Sequence, residues 1–168
     1  MKQPYRGQFP PDYWDWGHWI KYLLAREPGM VIGGLDNPYM LRYYLVPRNP
    51  YLNVYLHKFL RSDDDRALHD HPWWFLSVML KGGYWEHRKG KAKWRESPSV
   101  AIRKADTAHR VELDYEYIYD DYHRNLGSRE KPCWTLIFTG PKIREWGFYC
   151  PQGWRHWHEF VLKNGCGE

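Results

Sequence analysis

The spacing of hydrophobic and polar positions divides the chain into one helical stretch and a long series of strands. Apolar side chains recur at helical spacing from residue 13 to residue 26, and Pro28-Gly29 ends that pattern. Short β-rich runs bounded by turn residues then predict strands at 40–46, 51–61, 73–81, 83–88, 92–96, 99–103, 109–113, 133–139 and 143–149. Because no helical pattern separates these strands, they are typical of a sandwich or barrel.

The composition agrees with a β-rich domain. The 168 residues include 11 Trp, 14 Tyr and 6 Phe, together with 14 Gly and 12 Pro. Aromatic residues favour strands, and glycine and proline favour turns. We therefore predict one all-β domain over residues 1–168, with an N-terminal arm and helix over 1–30 and a β-barrel over 40–160.

Several classes of protein are disfavoured. No apolar run approaches the roughly 20 residues that a membrane helix needs, and the chain shows no signal-peptide core, so we expect a cytoplasmic protein without membrane contact. Cys133, Cys150 and Cys166 lack a CxxC spacing, which predicts neither a disulfide framework nor a zinc ribbon. The net charge of +5 permits an anionic partner, but the basic residues at 87–95 are typical of a solvated hairpin tip, so no nucleic-acid partner is expected.

Two histidines at the head of the apolar run 73–81 carry the main chemical signal. Residues i and i+2 of a strand share a face, so His69 and His71 point into one space, while Asp70 points away and is not expected to be a ligand. Two neutral imidazoles are half of a transition-metal site. The alternative is a pair of strand-end histidines that only hydrogen-bond. A third histidine, His109, stands at the start of another predicted strand and favours the metal site.

The strand at 73–81 is apolar on both faces. Strands that are wet on one face alternate apolar and polar residues, so something must cover the outer face of this one. We expect the N-terminal helix or a second subunit to bury its four outward side chains, which are Trp74, Leu76, Val78 and Leu80.

The histidine pair resembles the first motif of the cupin superfamily, whose members fold as small jelly-roll barrels. That motif is His-x-His, a Glu four residues on, and a Gly seven residues beyond the Glu. Here His69, His71 and Gly82 fall in register, while Phe75 occupies the Glu position. The resemblance implies a cupin-type jelly-roll β-barrel with an N-terminal helix.

The second cupin motif is degraded, but its histidine is present. The usual Pro and Gly are Lys104 and Asp106, and His109 holds the ligand position. Within cupins, a ligand set of His69, His71 and His109 without a carboxylate is similar to that of the thiol dioxygenases, such as cysteine dioxygenase. The resemblance implies iron and dioxygen chemistry at these three residues.

Further segments resemble that enzyme family, and one does not. Residues 40–46 lie where the family has Tyr-x-Arg-x-x-Val, so Arg42 matches the arginine that holds the substrate carboxylate. The family's late Ser-x-His-x-Tyr segment is replaced, in the alignment on Pro141, by an apolar wall of Trp134, Leu136 and Phe138. No cysteine near the first motif could form the family's thioether crosslink, and cysteine itself is therefore disfavoured as the substrate.

Other residues are candidates for the pocket. His57 and Arg61 share a parity on the strand before the histidine pair and either line the pocket or lie at the edge. Glu86 is an alternative metal ligand, a residue that supports a ligand from behind, or a surface residue. Arg144 either binds an anion or forms a salt bridge with Glu145. The predicted substrate-binding set is Arg42, His57, Arg61, Phe75, Tyr84, Trp134 and Phe138. The long insertion at 114–131 is either a lid or binding loop or a surface excursion.

Three functions remain open at this point. The leading hypothesis is a mononuclear oxygenase with Fe(II), acting on a small anionic substrate and dioxygen, although the ligand set also suits Zn, Ni or Mn. The second is a non-catalytic cupin that binds a sugar or nucleotide in its aromatic pocket. The third is a metal-dependent isomerase, which would need a general base such as Glu86, His57 or a tyrosine.

Overall fold

A computed structural model describes residues 12–63, 67–162 and 165–166 of the chain. Within these ranges the protein is an all-β jelly roll with a short helix at each end. The helices are α1 (Trp16–Ala25) and α2 (Trp157–Leu162). The strands are β1 (Met30–Ile32), β2 (Met40–Tyr44), β3 (Asn53–Phe59), β4 (Leu68–His69), β5 (Phe75–Lys81), β6 (Gly83–Arg88), β7 (Lys91–Glu96), β8 (Ser99–Arg103), β9 (Arg110–Leu113), β10 (Tyr115–Tyr119), β11 (Asn125–Glu130), β12 (Cys133–Thr139), β13 (Gly147–Cys150) and β14 (Gly153–His156).

One large sheet and two small sheets enclose the core. The large sheet has the strand order β1-β2-β3-β12-β5-β8, and its neighbours are antiparallel. The small sheets have the orders β7-β6-β9 and β14-β13-β4. Side chains from the large sheet and from β6 and β9 form one buried cluster of Met40, Phe59, Met79, Tyr84, Val111, Leu113 and Cys133. The barrel interior therefore lies between these sheets.

The strand register decides which candidates face that interior. On β3 and β12 every second residue is buried, and the buried set of β12 is Cys133, Thr135, Ile137 and Thr139. Trp134 and Phe138 have the other parity and lie on the outer face of the sheet. The prediction that they form a wall inside the barrel is therefore wrong, because a shift of one residue moves every side chain to the opposite face. Trp134 instead lines a cleft of about 310 Å³ beneath α1.

The N-terminal helix is shorter than the sequence pattern predicts. It begins at Trp16, where the Asp15 side chain accepts a hydrogen bond from the His18 backbone N–H and so caps the first turn. Trp19 attaches the helix to the sheet through a 3.0 Å hydrogen bond from Nε1 to the Tyr44 carbonyl oxygen. In the described part of the chain, neither helix has the length and apolar content needed to cross a bilayer.

The outer face of β5 is only partly covered. Trp74 and Leu80 are 41% and 47% exposed, while Leu76 and Val78 are half-buried. The helix packs against β2 rather than across β5, so it does not supply the cover that the apolar pattern predicts. Cover by a second subunit stays a prediction.

Several elements are absent from the predicted strand list. The insertion at 114–131 forms the exposed hairpin β10–β11, and its role as a lid or binding loop stays a prediction. The predicted strand at 143–149 begins only at Gly147, and β14 and α2 follow it. Short strands such as β1 and β4 pair through main-chain atoms, and two or three residues carry too little pattern to predict them.

The C-terminal region contains a disulfide that the cysteine count did not predict. Cys150, at the end of β13, is bonded to Cys166, beyond α2, whereas Cys133 is a buried free thiol. The prediction that the chain lacks a disulfide framework is wrong at this pair, because the bond depends on the return of the chain after α2. The disulfide attaches the segment after α2 to the strand that pairs with β4.

We expect the Cys150→Ser/Cys166→Ser double variant to lose stability. A crosslink across a loop of 16 residues restricts the unfolded chain and contributes about 3 kcal/mol. Urea unfolding with and without reductant measures the effect. Reductant should lower the midpoint of the wild type and leave that of the double variant unchanged; equal midpoints for wild type and variant without reductant would contradict the expectation.

Candidate metal centre

Backbone pairing brings the three histidines together. His69 and His109 each donate a 2.9 Å backbone hydrogen bond to the carbonyl oxygen of the other, which places their side chains opposite each other. The His71 backbone N–H donates to the Ala105 carbonyl oxygen at 3.0 Å, in the loop that leads to His109. The three ring centroids are consequently 5.0–5.2 Å apart, and one ligand atom of each ring lies within 4.8 Å of the others.

The donor set fits a divalent transition metal. Bonds from such a metal to histidine nitrogen are about 2.1 Å long, so two nitrogens at right angles on one ion lie about 3.0 Å apart. His71 Nε2 and His109 Nε2 are 2.8 Å apart. A ring nitrogen of His69 lies within 4.8 Å of both. Among the described residues, these three therefore form a group that could hold a metal on nitrogen ligands alone.

Burial keeps His69 and His71 neutral, as metal binding requires. Removal from water lowers the pKa of His69 to about 4, although the carboxylates of Asp63 and Asp70 act in the opposite direction. Burial also holds the pKa of His71 well below its usual range, and the charges of neighbouring groups, including His109 and Arg42, lower it further. At neutral pH each of these two imidazoles therefore has one ring nitrogen with a free lone pair and one that carries a proton.

Carboxylates stand behind two of the three rings. His109 Nδ1 is 3.3 Å from Glu86 Oε1, and His69 Nδ1 is 3.9 Å from Asp63 Oδ2. The His109–Glu86 contact is within hydrogen-bonding distance but does not have the angle of a hydrogen bond. Ligating histidines usually donate their second ring N–H to such a group, which fixes the tautomer.

Glu86 is held away from the ligand group by arginine. Arg103 donates to both carboxylate oxygens, through Nε at 2.8 Å and through Nη2, and Arg95 Nη1 lies 4.0 Å away. Burial raises the pKa of the Glu86 carboxyl, but the contacts with His109 and Arg103 outweigh burial and hold it well below its usual range. Glu86 is therefore an ionised partner of His109, and it is neither a surface residue nor part of the ligand group.

Asp70 anchors the histidine strand on its other side. This fully buried carboxylate accepts hydrogen bonds from Arg144, from the Gly147 backbone at 2.8 Å, and from the side chains of Tyr149 and Trp154. It points away from the imidazoles, as the strand parity predicts. Arg144 is thus paired with Asp70 and not with its neighbour Glu145. Because the Asp70 carboxylate offsets the arginine charge, the pair does not offer the net positive charge that an anion site needs.

Arg42 lies inside the barrel and has only uncharged partners. Its Nε donates to His57 Nε2 at 2.9 Å, and its guanidinium carbon lies 4.7 Å from the centre of the Tyr55 ring. His57 is buried, and burial followed by the charge of Arg42 holds its pKa well below the usual range. Among the described residues, no carboxylate forms an ion pair with Arg42.

The remaining candidates divide between the interior and the rim. Phe75 lines the histidine cluster, with its ring 4.7 Å from that of His71 and 5.7 Å from that of His109. Tyr84 belongs to the buried core cluster. Arg61 instead donates to the Asn37 carbonyl oxygen at 3.1 Å in a loop at the barrel end. Sequence reasoning missed Thr135 and Thr139, whose buried hydroxyls face inward without a hydrogen-bond partner in the described part of the chain.

Comparison with known proteins finds distant structural similarity. No family model matches the sequence, and no curated protein matches it. A conserved protein with a double-stranded β-helix domain from Klebsiella pneumoniae is 15% identical, with a TM-score of 0.47 over 68% of this chain and 88% of that one. A cupin superfamily protein from Desulfitobacterium hafniense is 12% identical, with a TM-score of 0.44 over 61% and 77%. The DMSP lyase DddQ from Ruegeria pomeroyi is 13% identical, with a TM-score of 0.48 over 71% and 57%. At these values, the chemistry of this site has to be argued from its own residues.

We expect Glu86→Gln to weaken metal binding about 10–100-fold, because it removes the charged partner of a ligating histidine. Competition with a chelator measures the affinity for Zn(II) or Fe(II). His71→Ala, which removes a ligand, should abolish binding and leave the β-sheet circular dichroism intact. Glu112→Gln is the matched control, since Glu112 pairs with His87 at 2.9 Å away from the cluster. A Glu86→Gln affinity equal to that of Glu112→Gln would remove Glu86 from the site.

We expect the stability of the metal-free protein to fall between about pH 6.5 and pH 4. Unfolded histidines titrate near 6.5, whereas the pKa of folded His69 is about 4. A depressed pKa in the folded state means that stability is complete above the unfolded pKa and is lost as the pH falls toward the folded one. Urea unfolding across this range measures the slope. His69→Asn should flatten it, and an unchanged slope would contradict the assignment.

Proposed function

We propose that this protein is a mononuclear metal-dependent oxygenase that uses Fe(II) and acts on a small anionic substrate. One observation carries the proposal: inside the barrel that holds the three histidines, Arg42 carries a positive charge with only uncharged partners among the described residues. Arg42 is half-buried and has no carboxylate partner among the described residues, so an anion is the ligand that would complete the interior.

The three-histidine set supports an oxygenase within this fold. Three neutral ligands leave Fe(II) with its full +2 charge and with open positions for a chelating substrate and dioxygen. The same nitrogens would also hold Zn, Ni or Mn, so iron is the part of the proposal that elemental analysis tests directly.

The protein's own residues would bind and orient the substrate. The terminal guanidinium nitrogens of Arg42 suit two carboxylate oxygens at once, which fixes one end of the molecule. Phe75 presents its ring to His71 and His109 and excludes water from that side of the site. The inward hydroxyls of Thr135 and Thr139 lack partners and offer hydrogen bonds to the substrate.

The thiol-dioxygenase resemblance is supported only in part. The inward residues of β12 are Thr135, Ile137 and Thr139, so the strand that carries Ser-x-His-x-Tyr in those enzymes here presents hydroxyls and an aliphatic side chain. Neither an imidazole nor a phenol from β12 can move a proton at the substrate. We therefore propose a substrate other than cysteine.

The contacts of Glu86 and His57, two of the candidate bases, argue against an isomerase. Glu86 is occupied by Arg103 and by His109, and its pKa is low. His57 Nε2 already accepts the Arg42 hydrogen bond. Neither group is free to take a proton from a substrate carbon. A non-catalytic binding cupin is disfavoured by the cost of converging the buried His109 and the half-buried His69 and His71 without a metal.

The disulfide is relevant to the cellular compartment in which the protein is found. Disulfides persist in oxidising compartments and are rare in the cytosol, so the Cys150–Cys166 bond weighs against the cytoplasmic location that the sequence predicts. Alkylation of free thiols during cell lysis, followed by mass analysis, distinguishes the two. Two alkylated residues at 150 and 166 would indicate a reducing compartment.

We expect oxygen uptake when the anaerobically Fe(II)-loaded protein is offered small thiols or carboxylates. Arg42→Lys should retain the metal but raise KM by roughly 10–100-fold, since a charge-assisted hydrogen bond contributes about 1.5–3 kcal/mol. Elemental analysis before and after loading, with oxygen-electrode kinetics, makes the measurement. Oxygen uptake that is absent with every substrate, from protein that retains iron, would contradict the oxygenase proposal.

A further inference from the structure

Arg103, Arg144 and Arg42 lie near the histidine site, and their partners differ in charge. Arg103 is paired with Glu86, and Arg144 is paired with Asp70. Arg42 is the third, and its partner is His57, which is an imidazole. The fold therefore neutralises two of these cations with buried carboxylates and leaves the one inside the barrel charged.

The contact with His57 requires a neutral imidazole. Arginine has only donors, so His57 Nε2 must present its lone pair to the Arg42 Nε–H, and the ring proton must lie on Nδ1. The ring is buried between Tyr55, which is stacked on it at 5.7 Å, and Phe59, which meets it edge-on at 6.0 Å. His57 is thus held in place as an acceptor without charge.

The same contact leaves the functional part of the guanidinium available. His57 occupies the Nε–H, and Tyr55 lies against the guanidinium plane at 4.7 Å. In the described chain no partner is recorded for the two terminal nitrogens, which carry the fork that binds carboxylates. Thr135 lies opposite His57 across the β3–β12 pair, with a fully buried hydroxyl that also lacks a partner.

We propose that His57 is a positioning residue that orients Arg42 through an uncharged hydrogen bond and so preserves its positive charge for a carboxylate ligand beside Thr135. This rests on the anionic substrate of the proposed function and assigns a reason for histidine at position 57. A carboxylate there would hold Arg42 equally well, as Glu86 holds Arg103, but it would cancel the charge. The identity of residue 57 therefore determines whether the interior accepts an anion.

A matched pair of variants at position 57 separates charge from shape. His57→Gln supplies a neutral oxygen acceptor, and His57→Glu supplies a charged one of the same size. The probe is acetate at pH 7.5, added to metal-free protein in chloride-free buffer, with acetamide as the neutral isostere. The dependence of the melting temperature on acetate concentration gives the apparent affinity. Metal-free protein is used so that acetate cannot ligate an ion and so that the test is independent of oxygenase activity.

Acetate, but not acetamide, should raise the melting temperature of the wild type. His57→Gln should keep the acetate affinity within about 3-fold, while His57→Glu should weaken it at least about 10-fold, the equivalent of one charge-assisted hydrogen bond. Equal affinities in the Gln and Glu variants, whether strong or weak, would overturn the proposal. A purely structural role predicts this equality, since both variants supply an acceptor.

Arg42→Met keeps the proposal testable if His57→Glu does not fold. The acetate effect should then be present in wild type and in His57→Gln and absent in Arg42→Met. An effect that persists in Arg42→Met, or one that is lost in His57→Gln, would show that the Arg42–His57 pair does not bind the anion. Failure of this test would leave metal binding and oxygen uptake by the three-histidine site as separate questions.

Discussion

The reciprocal backbone hydrogen bonds between His69 and His109 are the constraint on which the site depends. They join a two-residue strand to the loop before β9, two segments separated by forty positions that bury little apolar surface of their own. The buried Asp70 carboxylate supports this junction from the other side, because it accepts hydrogen bonds from four residues of the C-terminal segment. The loss of that carboxylate would leave the buried Gly147 N–H and three partly buried side-chain donors without their acceptor, and it would release the segment at residues 68–71 that carries His69 and His71.

The distribution of carboxylates sets the charge of the interior. At the position where the cupin motif has a ligating Glu, this chain has Phe75, which packs against the imidazoles. A carboxylate is still present, but it belongs to Glu86 on β6. It lies behind the His109 ring, between His109 and Arg103. The Glu86 carboxylate thus contacts His109 instead of joining the group that could hold a metal. An ion on the three nitrogens would keep its full charge, and Arg42 adds to the positive potential of the same interior.

The sequence was sufficient for the fold class and for the convergence of the histidines, but not for the wall around them. His69, His71 and His109 follow from strand parity and from motifs a few residues long, which are local signals. The direction in which the β12 side chains point could not be predicted in this way. The alignment on Pro141 gave a register one residue away from the observed one, and this error placed Trp134 and Phe138 on the wrong face of the sheet. The Cys150–Cys166 bond and the Arg42–His57 pair depend on contacts between distant elements, for which a single sequence carries no local pattern.

The observed register shows how the polar and aromatic side chains are distributed in the barrel interior. Imidazoles gather at one end, and hydroxyls and one guanidinium lie along β2, β3 and β12, while the larger aromatic side chains of β12 lie outside. A sugar-binding barrel would need inward aromatic faces for stacking, and here Phe75, the inward aromatic beside the metal ligands, packs on imidazoles. An interior with unpaired positive charge and unsatisfied hydroxyls instead suits a compact ligand that carries negative charge and accepts hydrogen bonds. The features that make this interior costly without a ligand are therefore the ones on which the proposal of an anionic ligand rests.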